Sequence, residues 1–147
     1  MNNDPEKILK NLFALQNFAV LATAADEIPY TNIVAFASSD NLRHLAFFTP
    51  VKTSKYERIQ RNSHVSLFID NRSNRAADIT ESIGVTVIGM AVDMDSEARD
   101  MLVHEFIKKH PGLKNFAESP ESAMITVNVE RYHIVSNFQD VIVLNIK

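Results

Sequence analysis

The spacing of apolar residues divides the chain into helical and extended stretches. Ile8, Leu9, Leu12 and Phe13 recur at helical intervals. Asp4 and Pro5 supply a capping oxygen and a proline suited to a first turn, so residues 5–16 are predicted to form an amphipathic helix. The period then shortens. An apolar run at 18–23 and a β-branched, aromatic stretch at 31–37 flank a short connector at 24–29, which predicts a hairpin. Residues 38–41 (SSDN) are a turn signal, and 44–49 predict a third strand that Pro50 ends. Ser54 and Glu57 have capping-box spacing, so a helix is expected from Thr53 or Ser54 to Arg61. Residues 65–69 alternate as a fourth strand, and 70–82 are polar and predict a loop. Ile83 to Met94 predict a long strand, in which Gly84 and Gly89 signal a bulge or a close backbone approach. Asp95 or Ser96 begins a helix that His110, Pro111 and Gly112 stop. After a loop through Pro120, residues 123–129, 132–138 and 141–146 predict the last strands.

Strands that follow one another through short turns argue for an antiparallel sheet. About 6–7 strands in 147 residues predict a mainly β fold: a small barrel with three or so helices outside it, in one domain spanning 1–147. Composition narrows the chemistry. The three glycines, at 84, 89 and 112, cannot spell a dinucleotide fingerprint or a P-loop. The absence of cysteine removes disulfides, zinc–thiolate sites and thiol catalysis. A net charge of −3 gives no footprint for nucleic acid. No apolar run approaches a membrane span, and the polar start (MNNDPE) is no signal peptide, so a cytoplasmic protein is expected. The five histidines lack metal-ligand spacing, no catalytic side chain is assigned, and Met90, Met94, Met101 and Met124 read as core filler.

One segment stands out. Thr49, Thr53 and Ser54 bring three hydroxyls, and Lys52 and Lys55 two ammonium groups, to a strand-to-helix junction. A helix N-terminus offers free N–H groups and a positive dipole end, so this set suits a phosphate dianion. Alternatively, Ser54 only caps the helix and the lysines are solvated.

With these stretches in order, the chain resembles the pyridoxamine 5'-phosphate oxidase-like, FMN-binding split-barrel family. The resemblance rests on residues 20–23 (VLAT), 29–36 (PYTNIVAF), 47–50 (FFTP), 53–56 (TSKY), 61–69 (RNSHVSLFI) and 85–91 (VTVIGMA). It implies an antiparallel split barrel of Greek-key type and a homodimer with FMN at the subunit interface. It also implies that Thr49, Thr53 and Lys55 hold the phosphate. Ser54 stands where the family often has arginine, and Lys52 is placed to supply that charge. Asn32, Ile33 and Val34 match the strand that passes the flavin ring, and Asn71 and Arg72 are further candidate contacts. Gly84 stands where the vitamin B6 oxidases keep a glutamine, and their tryptophan-rich substrate segment has no counterpart in a chain without tryptophan. The resemblance therefore implies an FMN-dependent oxidoreductase of an unidentified small-molecule substrate, not a B6 oxidase. The alternatives are a non-catalytic module that holds a flavin (FMN or FAD), deazaflavin or haem, and a cofactor-free β-barrel dimer.

Overall fold

The computed structural model describes residues 4–147; residues 1–3, the start of the polar segment weighed above as a signal peptide, lie outside the described residues. The described chain builds one sheet of eight strands, and every hydrogen-bonded pair in it is antiparallel. The predicted hairpin is β1 (Phe18–Ala25) and β2 (Ile28–Ala35). Asp26 and Glu27 turn it with φ of 54° and 64°, the left-handed pair that a two-residue hairpin loop requires. No glycine is present there; instead the Asp26 carboxylate is paired with Arg61.

At Phe36 the chain leaves β1 and resumes as β3 (Ala37–Ser38) against β4 (His44–Pro50). The strand order is β2-β1-β5-β6-β7-β4-β3, so the bent segment β2–β3 touches both ends of the sheet and rolls it into a barrel. Here β5 is His64–Asp70, β6 is Gly84–Val92 and β7 is Ser122–Ser136.

The two strands predicted at 123–129 and 132–138 are this single 15-residue β7. Glu130 and Arg131 interrupt the apolar alternation without ending the strand. β7 pairs with β6 along one edge. Its other edge is shared: β4 takes residues 122–128, and β8 (Asp140–Asn145) takes 131–136. The register against β6 shifts between Ile88 and Gly89, leaving Glu130 as the extra residue of a bulge. A Cβ on Gly89 would lie 2.3 Å from the Asn128 carbonyl oxygen, so the glycine permits the close approach that its position in the strand suggested. The barrel splits where β4 and β8 part on the β7 edge.

Among the described residues five α-helices flank the sheet, more than the three or so expected. Three match the prediction: α1 (Pro5–Leu15), α2 (Ser54–Arg61) and α4 (Ser96–Lys109). α3 (Asp78–Glu81) and α5 (Lys114–Glu118) lie in predicted loops; neither has a side-chain cap, and both are too short for an apolar period to show. The core fills the barrel with Leu21, Phe36, Phe47, Leu67, Val87 and Tyr132, closed at one end by Leu9, Leu12 and Phe13 of α1. The Tyr132 hydroxyl, pushed well above its usual pKa by burial, donates to the Leu42 carbonyl at 2.6 Å. A smaller cluster of Ala37, Phe48, Phe106 and Ala117 seats α4 and α5 on the β3–β4 side.

Candidate functional site

The hydroxyl-rich junction lies where β4 passes into α2, and its hydroxyls divide into two kinds. Thr49 is fully buried, and its hydroxyl lies 3.0 Å from that of Thr53. Thr53 donates to the Pro50 carbonyl at 2.9 Å and accepts the Tyr56 N–H at 3.2 Å. Thr53 is therefore the helix cap, and Ser54 is the first helical residue, not the cap offered by the S-x-x-E spacing. The two threonines shape the turn. Ser54 and Lys52 are exposed beside it. Lys55 is half-buried, and desolvation holds its amine below the usual lysine range. Among the described residues no carboxylate pairs with it.

Arg58 and Arg61, part of the basic run that also reads as a solvated face, fix the direction of α2. The Arg58 guanidinium donates to the Thr23 hydroxyl at 3.1 Å and the Ile28 carbonyl at 2.5 Å, and lies 5.2 Å from the centroid of the Tyr30 ring. Asn62 donates to the Ala24 carbonyl at 2.6 Å. The sequence reading missed this anchoring of α2 to the hairpin. Its one signal was the three-residue spacing of Lys55, Arg58 and Arg61.

Asn32, Ile33 and Val34 lie on β2, whose edge away from β1 has no strand partner among the described residues. Val34 is buried, whereas Ile33 is 66% exposed. Among the described residues the buried Asn32 side-chain oxygen has no hydrogen-bond partner, and its amide nitrogen makes a long contact, 3.4 Å, to the Ile33 carbonyl. Ile33 also belongs to a continuous row on the outer face. Consecutive strand partners run Ile33, Val20, Phe68, Thr86, His133 and Val143. Phe18 and Val141 stand on the same face, and this band of the sheet leaves large apolar side chains uncovered.

Asn71 and Arg72 sit apart. β5 starts where α2 ends and carries them beyond its far end, after roughly 20 Å of strand. Asn71 closes the loop that follows, accepting the Ile83 N–H at 2.7 Å, and Arg72 pairs with Asp70 at 2.9 Å. A cavity of about 570 Å³ opens there between Phe68, Phe138 and Arg75. A Cβ on Gly84, which lines it, would meet the Phe68 ring at 2.9 Å, so the ring takes the space a longer side chain would need. One chain thus gathers Thr49, Thr53, Ser54 and Lys55, and leaves Asn71 and Arg72 at a distance. Among the described residues no cluster of His, Asp or Glu could hold a metal.

A family model described as pyridoxamine 5'-phosphate oxidase matches residues 6–136. Among curated proteins, none matches this chain in sequence. In the solved structures the chain is similar to a haem-binding protein from Mycobacterium smegmatis, with a TM-score of 0.86 and 14% identity over 99% of this chain and 59% of that one. It is similar to general stress protein 26 from Bacillus anthracis, with a TM-score of 0.70 and 19% identity over 96% of this chain and 98% of that one. It is also similar to an FAD-binding protein from Mesorhizobium loti, with a TM-score of 0.65 and 21% identity over 87% and 90% of the two chains. The chain spans less than two thirds of the length of the Mycobacterium protein. At such identities these likenesses concern the fold.

Proposed function

This chain belongs to the pyridoxamine 5'-phosphate oxidase family, and we propose that it is an FMN-binding oxidoreductase that works as a homodimer on a small-molecule substrate. The observation that carries this reading is Lys55, half-buried at the start of α2 without a carboxylate partner. A desolvated cation beside free helix N–H groups is costly alone and favourable against a phosphate. Ser54 and Lys55 would hold that phosphate, with Lys52 adding charge. Thr49 and Thr53 keep the turn in shape from behind.

The ring end finds support on β2. The unpartnered Asn32 oxygen is an acceptor suited to an N–H on the edge of a flavin, and the free edge of β2 offers backbone groups beside it. When bound, the flavin supplies a hydride or electron carrier. The chain binds and orients it, and no side chain is assigned as acid or base. The exposed outer row supports a homodimer, because a contiguous apolar face of this kind marks an interaction surface. Across such an interface the partner's copy of the Asn71–Arg72 segment can complete a site that one chain leaves open. No described helix is long and apolar enough to cross a membrane; the proposed setting is the cytoplasm, with a reduced nicotinamide or similar donor.

Haem has a specific point against it on this face. His133, the histidine of the exposed row, already has its Nε2 bonded by the Arg131 guanidinium at 3.2 Å. The visible spectrum of the purified protein separates FMN or FAD from deazaflavin, haem and nothing. Uptake of FMN on refolding with excess flavin, followed by reduction with NADH or NADPH and turnover on an added acceptor, is the expected result. Failure to take up FMN would overturn the proposal. Uptake without reduction by either nucleotide would move the protein to the non-catalytic, cofactor-holding class.

A further inference from the structure

A second cavity, of about 690 Å³, lies between α4 and the turn that joins β3 to β4. Its volume falls within the range of about 300–1,000 Å³ found for small-molecule sites. Ala98, Met101 and Leu102 form its α4 wall, joined by Met94 from the connection before that helix. Met101 is 69% exposed, so the methionine read from the sequence as core filler is instead an uncovered apolar side chain in the middle of a helix. The helix does not depend on it for anchoring: Phe106 is buried against Phe48, and His110 bonds the Phe36 carbonyl at 2.8 Å.

The rim has one sign of charge. Asp40 of the turn and Glu97, Asp100 and Glu105 of α4 line the cavity, and among the described residues no lysine or arginine does. None of the four carboxylates forms an ion pair among the described residues. Asp40 and Glu105 also border a neighbouring cavity that contains Lys10 and Lys109; Glu97 and Asp100 do not. Burial and the adjacent Arg43 lower the pKa of His44, which therefore adds no cation to this wall at neutral pH. Apolar side chains beside Glu97 and Asp100, the two carboxylates that do not border the lysines, focus a negative field on whatever enters. The His, Asp and Glu side chains here are not grouped to hold a metal ion, and the apolar side chains suit a hydrocarbon body.

We propose that this cavity is a second ligand site, for a small amphipathic amine whose apolar body lies against Met94 and Met101 and whose ammonium group faces Glu97 and Asp100. It shares no residue with the junction at Thr49–Lys55, so it stands or falls separately from the flavin reading.

The test uses 4-phenylbutylamine and its uncharged counterpart 4-phenylbutanol, titrated into the full chain carrying 13C-methyl methionine. The amine is expected to bind at least about tenfold more tightly than the alcohol at low salt, a difference of roughly 1.4 kcal/mol. It should shift the Met94 and Met101 methyl signals and leave Met124 unmoved. High salt should narrow the preference. A Glu97→Gln/Asp100→Asn variant, exposed enough to leave the fold intact, should abolish it, and Met101→Ser should weaken both ligands. The proposal is overturned by equal binding of amine and alcohol, by a preference that survives the double substitution, or by shifts confined to other methionines. It is overturned equally if a basic amphipathic peptide binds there and the small amine does not.

Discussion

At the scale of single residues, Lys55 is the most exposed to test. Removing a charge-assisted contact to a phosphate typically costs about 1.5–3 kcal/mol. Lys55→Ala should therefore weaken FMN binding by roughly ten- to a hundredfold, read by quenching of flavin fluorescence, with little change in the urea midpoint. Thr53→Ala should do the reverse. It removes the cap of α2 and should cost about 1 kcal/mol of stability in urea unfolding, while any loss of affinity stays smaller than that of Lys55→Ala. The sequence made the cluster of hydroxyls and lysines legible but not which hydroxyls face outward. Alternation would have told them apart on a half-buried strand, and β4 is buried on both faces through its middle, Thr49 included. The glycines give a second contrast. Gly89→Ala would push a methyl group to 2.3 Å from a backbone oxygen, which cannot yield without moving β7, and should cost several kcal/mol. Gly84→Ala meets only the end of the partly exposed Phe68 ring at 2.9 Å and should cost clearly less. Denaturant unfolding of the two variants decides the order.

At the scale of elements, the legible pieces were those whose pattern runs for several turns or strand pairs. α1, α2 and α4 start at a side-chain cap, and the strands predicted at 18–23, 44–49, 65–69, 83–94 and 141–146 occur as β1, β4, β5, β6 and β8, because burial imposes its period on the residues directly; the stretch at 31–37 instead breaks at Phe36 between β2 and β3. The short α3 and α5 carry no such period, and β7 is continuous only because Val129 and Arg131 keep their β6 partners on either side of a bulge at Glu130 that no local signal announces. Attachments between elements are less legible still. Lys109, near the end of α4, donates to the Phe13 carbonyl in the last turn of α1 at 2.7 Å and lies 3.8 Å from the centroid of the Phe36 ring. Both contacts favour the cation, yet burial outweighs them and lowers its pKa from 10.5 to about 8. The unfolded chain keeps this proton up to about pH 10.5, whereas the folded chain releases it above about pH 8. Between those values the unfolded state holds more protons, so this residue makes stability rise with pH. Below pH 8 both states are protonated and the contribution is constant. Because the amine is partly solvated, the rise should be only on the order of 1 kcal/mol. Urea unfolding of wild type and Lys109→Met at both ends of that window should show the difference between them growing in favour of wild type as pH increases. A difference that is flat across the window would mean that the folded amine keeps an ordinary pKa.

At the scale of the whole molecule, the two halves of the proposed cofactor site are what a single sequence could not assemble. Asn71 and Arg72 can be picked out along the chain beside Thr49 and Lys55, but β5 carries them to the far end from α2, and their present bonds close their own loop. The register ladder shows which face of the sheet a second copy would cover. Ile33, which follows the unpartnered Asn32, lies in one row with Val20, Phe68 and Val143, and that row faces outward without cover. If a second copy covers it, cofactor binding and dimerisation are one event, and each should fail with the other. A Phe68→Lys/Val143→Lys variant places two cations on a face that needs none for folding, since both side chains point away from the barrel core. It should keep its circular dichroism spectrum, run as a monomer in light scattering, and lose FMN although Ser54 and Lys55 are untouched. Raising the protein concentration until the variant dimerises should restore part of the flavin uptake by mass action. A folded monomer that still binds FMN with full affinity would confine the site to one chain, and a variant that stays dimeric would place the interface on another face.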